Sequence, residues 1–176
     1  NRLLLIASYV FYGFWDYRFL GLILLSTVID FTCARQIGET TNEKRKKAFL
    51  IVSLVTNLGI LFTFKYFNFF VDTFADLIQI FGFTPTYSTL HIILPLGISF
   101  YTFQSLCYTI DVFRRRLEAS KKFEEFALYV VLFPQLVVGP IQRATHMLPQ
   151  ITHTRVFDMR LIVNGFCIIA FGILKQ

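Results

Sequence analysis

One apolar segment of this chain, residues 92–112, carries polar side chains at helical spacing. In a helix that turns about 100° per residue, one face presents hydroxyl, amide and carboxyl groups, while the opposite face is apolar. The polar stripe consists of Tyr101, Gln104, Ser105, Tyr108 and Asp111. Two explanations stay open, because such side chains in a membrane either line a polar tunnel or form hydrogen bonds between helices.

A second segment, Phe123 to Ile141, is apolar but contains Pro134 and Pro140. Proline removes a backbone donor and clashes with the preceding helical turn, so this segment cannot be one straight helix. Inside a bilayer, a broken helix is tolerated only where protein or a wet cavity satisfies the freed backbone groups. We therefore predict a cavity beside this broken segment.

Two carboxylates lie near arginines. Asp111 precedes Arg114 and Arg115 by three and four residues, a spacing that predicts a local ion pair. Asp30 lies late in an apolar segment near Arg35, and the sequence favours an ion pair or an interfacial position over a proton relay.

Neither a metal centre nor a catalytic nucleophile is predicted. His91, His146 and His153 have no Cys, His or carboxylate partners at ligand spacing. No serine or cysteine has an adjacent His or Asp that would mark it as a catalytic nucleophile. The three cysteines are expected to be buried and reduced, and they are Cys33, Cys107 and Cys167.

The composition indicates an integral membrane protein. Hydrophobic residues make up 55% of the 176 residues, 22 residues are Phe, and the mean hydropathy is +0.59. The net charge of +6 does not predict nucleic-acid binding, because the basic residues form short runs between apolar blocks, as in the loops of membrane proteins.

The pattern predicts an all-α fold, a polytopic bundle of about five transmembrane spans. The predicted spans cover residues 3–15, 19–34, 48–64, 92–112 and 159–174. An amphipathic helix in the membrane interface is predicted over residues 66–81, and residues 142–158 are predicted to be a polar connection. All 176 residues belong to one partial membrane domain, since the chain begins without Met and ends just after an apolar run.

The distribution of basic residues predicts on which side of the membrane each loop lies. The basic runs before residue 48 and after residue 112 are predicted to be cytoplasmic, with the uncharged loop 82–90 on the other side. The segment 123–141 then either crosses the bilayer or enters and returns as a re-entrant segment.

Four stretches together resemble a known family, the membrane-bound O-acyltransferases, and most closely its bacterial alginate O-acetyltransferase-like branch. The stretches are Leu94-Pro95-Leu96-Gly97-Ile98-Ser99-Phe100-Tyr101-Thr102-Phe103-Gln104, Tyr108-Thr109-Ile110-Asp111-Val112, Phe126-Ala127-Leu128-Tyr129-Val130 and Phe133-Pro134-Gln135-Leu136-Val137-Val138-Gly139-Pro140-Ile141. A fifth stretch, Ala7 to Asp16, is similar to that branch as well.

The resemblance implies transfer of an acyl group to a hydroxyl of an extracellular polysaccharide such as alginate, in the bacterial cytoplasmic membrane. It implies acetyl-CoA or another acyl carrier as donor, no bound cofactor, and a periplasmic partner protein that completes the transfer. The catalytic His of the family lies in a Trp-His pair far downstream, and this chain contains no such pair. The chain is therefore expected to be a piece of a larger fold and inactive alone.

The polar stripe and the broken segment supply the predicted tunnel wall. Its residues are Tyr101, Gln104, Ser105, Tyr108, Gln135, Gly139, Pro140 and Arg143. Arg143 either pairs with a phosphate of the donor or extends to the membrane surface. The alternatives to an enzyme are a secondary transporter, which also uses broken helices, and a structural membrane subunit.

Overall fold

The computed structural model describes residues 1–80, 97–138, 142–153 and 158–175, and these residues form helices and short connections. The helices are α1 Arg2–Asp16, α2 Leu20–Glu39, α3 Glu43–Ile80, α4 Ile98–Phe113, α5 Phe123–Val131, α6 Phe133–Val138, α7 Ala144–Thr152 and α8 Met159–Leu174, with a 3-10 turn at Tyr17–Phe19. The predicted all-α fold is thus confirmed for the part of the chain that the structure describes.

Two groups of helices make up the packed part of the structure. Helices α2, α3 and α4 contact one another, while α5 lies against α1, α2, α4 and α7. Every α5 side chain from Phe126 to Val131 is buried. The Phe126 ring lies 4.5 Å from that of Tyr108, centroid to centroid, and these rings join α5 to α4. Burying large aromatic rings in this way is a major source of packing energy.

Two stretches, Tyr17–Glu39 and Glu43–Phe67, are long and apolar enough to cross a membrane. Only 33% and 17% of their most apolar windows are buried, so most of this apolar surface faces outwards. A core helix of a soluble protein would be covered instead. These two helices are consistent with a membrane protein, and the remaining predicted spans and the re-entrant segment stay predictions.

Helix α3 differs from the prediction. The span predicted over residues 48–64 and the interfacial helix predicted over residues 66–81 form one continuous helix of 38 residues. At 1.5 Å per residue its length is about 57 Å, well beyond the hydrocarbon core of about 30 Å. The change from apolar to amphipathic character near Lys65 therefore marks no end of the helix.

The connection predicted over residues 142–158 contains α7, which the sequence analysis missed. Four side chains of α7 are buried, and the helix packs on α5. They are Ala144, Met147, Leu148 and Ile151. This spacing of three and four is helical, but it is hidden among polar residues.

The outer helices differ in burial. Helix α8 has the bounds that were predicted, residues 159–174, and all its side chains are exposed.

Of the cysteines, which are all free, Cys33 is buried as predicted and Cys107 is half-buried. Cys167 in α8 is exposed, so the expectation of burial was wrong for this residue.

Candidate functional site

The polar stripe lies on α4, and the residue before this helix has a backbone conformation that favours glycine. Gly97 precedes the first turn with φ 73°, in the left-handed region. Its carbonyl accepts from the Tyr101 amide at 3.0 Å. Of the stripe, Tyr101, Gln104, Ser105 and Tyr108 are buried, whereas Phe100 and Phe103 on the other face are exposed. The predicted division into two faces is therefore present.

The broken segment is interrupted at Leu132, two residues before Pro134, which lies in the first turn of α6. The Tyr129 carbonyl and the Phe133 amide are among the backbone groups freed there, and these two would pair with each other in an unbroken helix. The side-chain amide of Gln104 donates to the Tyr129 carbonyl. The Phe133 amide donates to the Ser8 hydroxyl at 3.4 Å. Side chains of α4 and α1 thus satisfy these two groups.

Tyr129 also holds the far side of the break. Its hydroxyl donates to the carbonyl of Gln142 at 3.1 Å and lies 3.4 Å from the carbonyl of Gln104. Gln104 and Tyr129 therefore contact each other in both directions, and Tyr129 links α4 to the residue that follows the broken segment. The structure brings the polar stripe and the broken segment together.

Tyr108 has a different role. Its buried hydroxyl accepts from the amide of Ser120 at 2.8 Å, in the loop that follows α4. This hydrogen bond joins α4 to the loop that follows it. It fixes the basic loop, which we define as residues 114–122.

Several buried polar atoms around α4 have no hydrogen-bond partner among the described residues. They are the hydroxyls of Tyr9, Tyr101 and Thr102 and the Nε2 atom of Gln135. Gln135 itself is 9% exposed. Buried polar groups are nearly always paired with protein or water, so groups of this kind often mark a hydrated cavity.

Arg143 is exposed at the start of α7. Its carbonyl accepts from the amides of His146 and Met147, at 3.0 and 3.2 Å. No carboxylate of the described residues pairs with its guanidinium. Gly139 and Pro140, the other two predicted wall residues, lie outside the described residues.

The ion pair predicted between Asp30 and Arg35 is wrong, and the alternative interfacial position stays a prediction. Asp30 is fully buried in α2, where its Oδ1 atom accepts from Ser53 Oγ at 2.6 Å and from Asn57 Nδ2 at 2.7 Å. Arg35 pairs with Glu39 instead, at 2.8 Å. Asp30 is therefore part of a polar network between α2 and α3. Its two donors, Ser53 and Asn57 on α3, take the place of the expected ion pair.

The network continues to the polar stripe. Ser53 Oγ lies 3.4 Å from Thr109 Oγ1, and Thr109 donates to the carbonyl of Ser105 at 3.1 Å. Ser105 Oγ and Asp30 Oδ2 are both buried without a hydrogen-bond partner among the described residues. Ser53 and Asn57, four residues apart in an apolar segment, were the sequence signal for this site.

The predicted ion pair of Asp111 is also wrong for the described residues. Asp111 is half-buried and pairs with neither Arg114 nor Arg115. Its carbonyl instead accepts from the backbone amide of Arg116 at 2.9 Å. Arg115 points elsewhere and approaches Glu43 at 3.8 Å, because the chain turns sharply after α4.

Known relatives support the resemblance to the O-acyltransferases, because these relatives are O-acetyltransferases and O-acetylases by name. The probable alginate O-acetylase AlgI of Pseudomonas aeruginosa is 42% identical over 87% of this chain. The protein of the same name from Azotobacter vinelandii is 41% identical over 87% of the chain. The peptidoglycan O-acetyltransferase of Helicobacter pylori is 32% identical over 98% of the chain.

The chain spans only 29%, 31% and 37% of the lengths of these three proteins. No family model matches the chain. No solved structure matches it either. The resemblance to the bacterial alginate O-acetyltransferase-like proteins is confirmed by these relatives.

Proposed function

We propose that this chain is part of a membrane O-acyltransferase that acetylates an extracellular polysaccharide, such as alginate or a related glycan. The similarity to two kinds of named relative carries this proposal, since one is a probable alginate O-acetylase and the other a peptidoglycan O-acetyltransferase. The feature common to both names is O-acetylation, and both acceptors are glycans.

The proposal includes a location and partners. The protein lies in the bacterial cytoplasmic membrane with several spans. It takes the acetyl group from acetyl-CoA or another acyl carrier on the cytoplasmic side. A periplasmic partner protein completes the transfer to the polysaccharide.

Within this enzyme, the polar stripe of α4 and the broken segment form one wall of a tunnel for the acyl donor. Two observations support this role. Gln104 holds the broken segment against α4 through the Tyr129 carbonyl. Polar atoms of Tyr101, Thr102 and Gln135 are buried there without hydrogen-bond partners among the described residues, which suits a hydrated passage.

Arg143 is proposed to pair with a phosphate of the donor near the cytoplasmic face. Its side chain is exposed, and a guanidinium matches the geometry of phosphate oxygens. The general base is the His of a Trp-His pair outside this chain, so the isolated chain is proposed to be inactive.

The experiment is acetyl transfer by the full-length protein. Labelled donor and polysaccharide acceptor are supplied with the periplasmic partner, and label on the polysaccharide is measured. We expect transfer, and we expect it to be lost when the His of the downstream Trp-His pair is changed to Ala. Facilitated flux of a solute without acetyl transfer would show a transporter and contradict the proposal.

The tunnel is tested separately in the same protein. Gln104→Leu and Gln135→Leu should reduce acetyl transfer at least about tenfold while the protein still inserts, since each replaces a polar wall group by an apolar one. Phe103→Leu, on the exposed face of α4, is the matched control and should retain activity. Full activity in both Gln variants would exclude the tunnel assignment.

A further inference from the structure

A cleft of about 860 Å³ opens at one end of the helix bundle, away from the predicted tunnel. Its walls are the last turns of α2, the link at Thr40 and Thr41, the first turn of α3 and the end of α4 with most of the basic loop. Binding sites for small molecules have volumes of about 300–1,000 Å³, so the cleft is large enough for a ligand.

The cleft is strongly basic. Five cationic side chains line it, against the two carboxylates of Glu39 and Glu118. The cationic residues are Arg35, Lys46, Arg115, Arg116 and Lys121. Glu39 neutralises Arg35. Among the described residues, Arg116 and Lys121 have no carboxylate within ion-pair distance, so the cleft has an excess of positive charge.

Lys46 is the buried member of this set. It is 5% exposed, and its ammonium pairs with Glu43 at 2.9 Å. Glu43 is also 3.8 Å from Arg115, so one carboxylate faces two cations. An ammonium has three donors, and this pair uses one of them. A buried cation with unused donors is costly unless a further acceptor satisfies it.

Local contacts restrain the shape of the cleft. Arg115 adopts φ 55°, an uncommon backbone conformation for a residue other than glycine. Further along the basic loop, the amide of Ser120 is held by the hydroxyl of Tyr108. Ala119 packs so closely on α2 that a Cβ added at Gly38 would lie 3.2 Å from its side chain. A preformed site loses less entropy when it binds.

We propose that this cleft binds a phosphate-bearing anion through Lys46, Arg116 and Lys121. Guanidinium and ammonium groups form short, charge-assisted hydrogen bonds to phosphate oxygens. Thr40 and Thr41 line the same cleft, and their hydroxyls are able to add neutral donors. The phosphate comes either from an anionic lipid headgroup or from a soluble phosphorylated compound, and the same chemistry serves both.

The test uses the full-length protein in two arms, and binding, not acetylation, is the readout. In the first arm, the protein is placed in phosphatidylcholine nanodiscs and titrated with inorganic pyrophosphate by calorimetry. In the second, phosphatidylglycerol is added to the nanodiscs and lipid retained on the protein is counted by native mass spectrometry. The variants are Arg116→Gln/Lys121→Gln, which changes only exposed residues, and the same pair with Lys46→Gln.

We expect the wild-type protein to bind one probe and the double variant to bind it at least about tenfold more weakly. Arg18→Gln, exposed and remote in sequence from the cleft, is the control and should bind like the wild type. Binding of pyrophosphate alone identifies a soluble ligand, and retention of phosphatidylglycerol alone identifies a lipid headgroup. The proposal is overturned if neither probe binds or if the double variant binds as the wild type does. Because acetyl transfer is not measured, this outcome is distinct from failure of the proposed function.

Discussion

The side-chain amide of Gln104 on α4 donates to the backbone carbonyl of Tyr129, the carbonyl that the break before Pro134 leaves without a helical partner. A proline break costs most in a membrane, because no bulk water replaces the lost hydrogen bond. One glutamine therefore both holds α4 against α5 and stabilises the broken segment.

Gln104→Leu should destabilise the protein, because the Tyr129 carbonyl would be buried without a partner. An unsatisfied buried acceptor costs about 1–3 kcal/mol. The measurement is the free energy of unfolding of the full-length protein in detergent. Phe103→Leu, one residue earlier and exposed, should change it by much less. Equal effects of the two changes would show that the Gln104 hydrogen bond contributes nothing specific.

Asn57→Leu should destabilise the protein more than the loss of an ordinary hydrogen bond, because Asp30 would lose one of two donors while remaining buried. Hydrogen bonds to charged groups contribute about 1.5–3 kcal/mol. The double variant Asp30→Leu/Asn57→Leu should lose less free energy of unfolding than the sum of the two single variants. The reason is that leucine at position 30 removes the carboxylate that Asn57→Leu would leave without a donor. Strict additivity in this double-mutant cycle would contradict the network.

Gly38→Leu should displace the basic loop from α2. Even a Cβ at this position would lie 3.2 Å from the Ala119 Cβ, and the longer side chain needs more room. We expect the affinity of the cleft for its bound probe, pyrophosphate or phosphatidylglycerol, to fall by about tenfold or more. Ala119→Gly in the same protein should recover part of the loss. Gly59→Leu is the control, because nothing lies within 4 Å of a Cβ at Gly59. Unchanged binding in Gly38→Leu would show that this close contact does not shape the cleft.

Arg143→Gln should raise the KM for the acyl donor and leave the free energy of unfolding within about 0.5 kcal/mol, because its exposed side chain makes no ion pair among the described residues. The kinetic change reports a donor phosphate, and the unchanged stability excludes a general packing effect. Arg160→Gln, exposed at the start of α8, is the matched control. A KM equal to that of the wild type would leave Arg143 as a surface residue.

Local features of the fold could be predicted from the sequence. The bounds of α8 follow from a mostly apolar run, and the two faces of α4 follow from helical periodicity. The break near Pro134 follows from the proline itself, which has no backbone donor for the Val130 carbonyl and clashes with the preceding turn. Each of these depends on residues close together in the chain.

Features that depend on distant residues could not be predicted. The partners of Asp30 are 23 and 27 positions away, so a nearby arginine was the only partner in view. The Tyr129 carbonyl is 25 positions from the glutamine that satisfies it, and backbone acceptors have no sequence signal. The basic cleft combines two polar runs that are separate in sequence and meet only after α2, α3 and α4 have packed.

The buried position of Asp30 has a consequence for how the chain enters the bilayer. A carboxylate near the middle of a single inserting helix costs about 2.5–3.5 kcal/mol during translocon-mediated insertion. The donors that offset this cost are on α3, and only residues 40–42 separate the two helices. We expect α2 to be retained at the translocon until α3 has been synthesised, and the two to enter the lipid together as a helical hairpin.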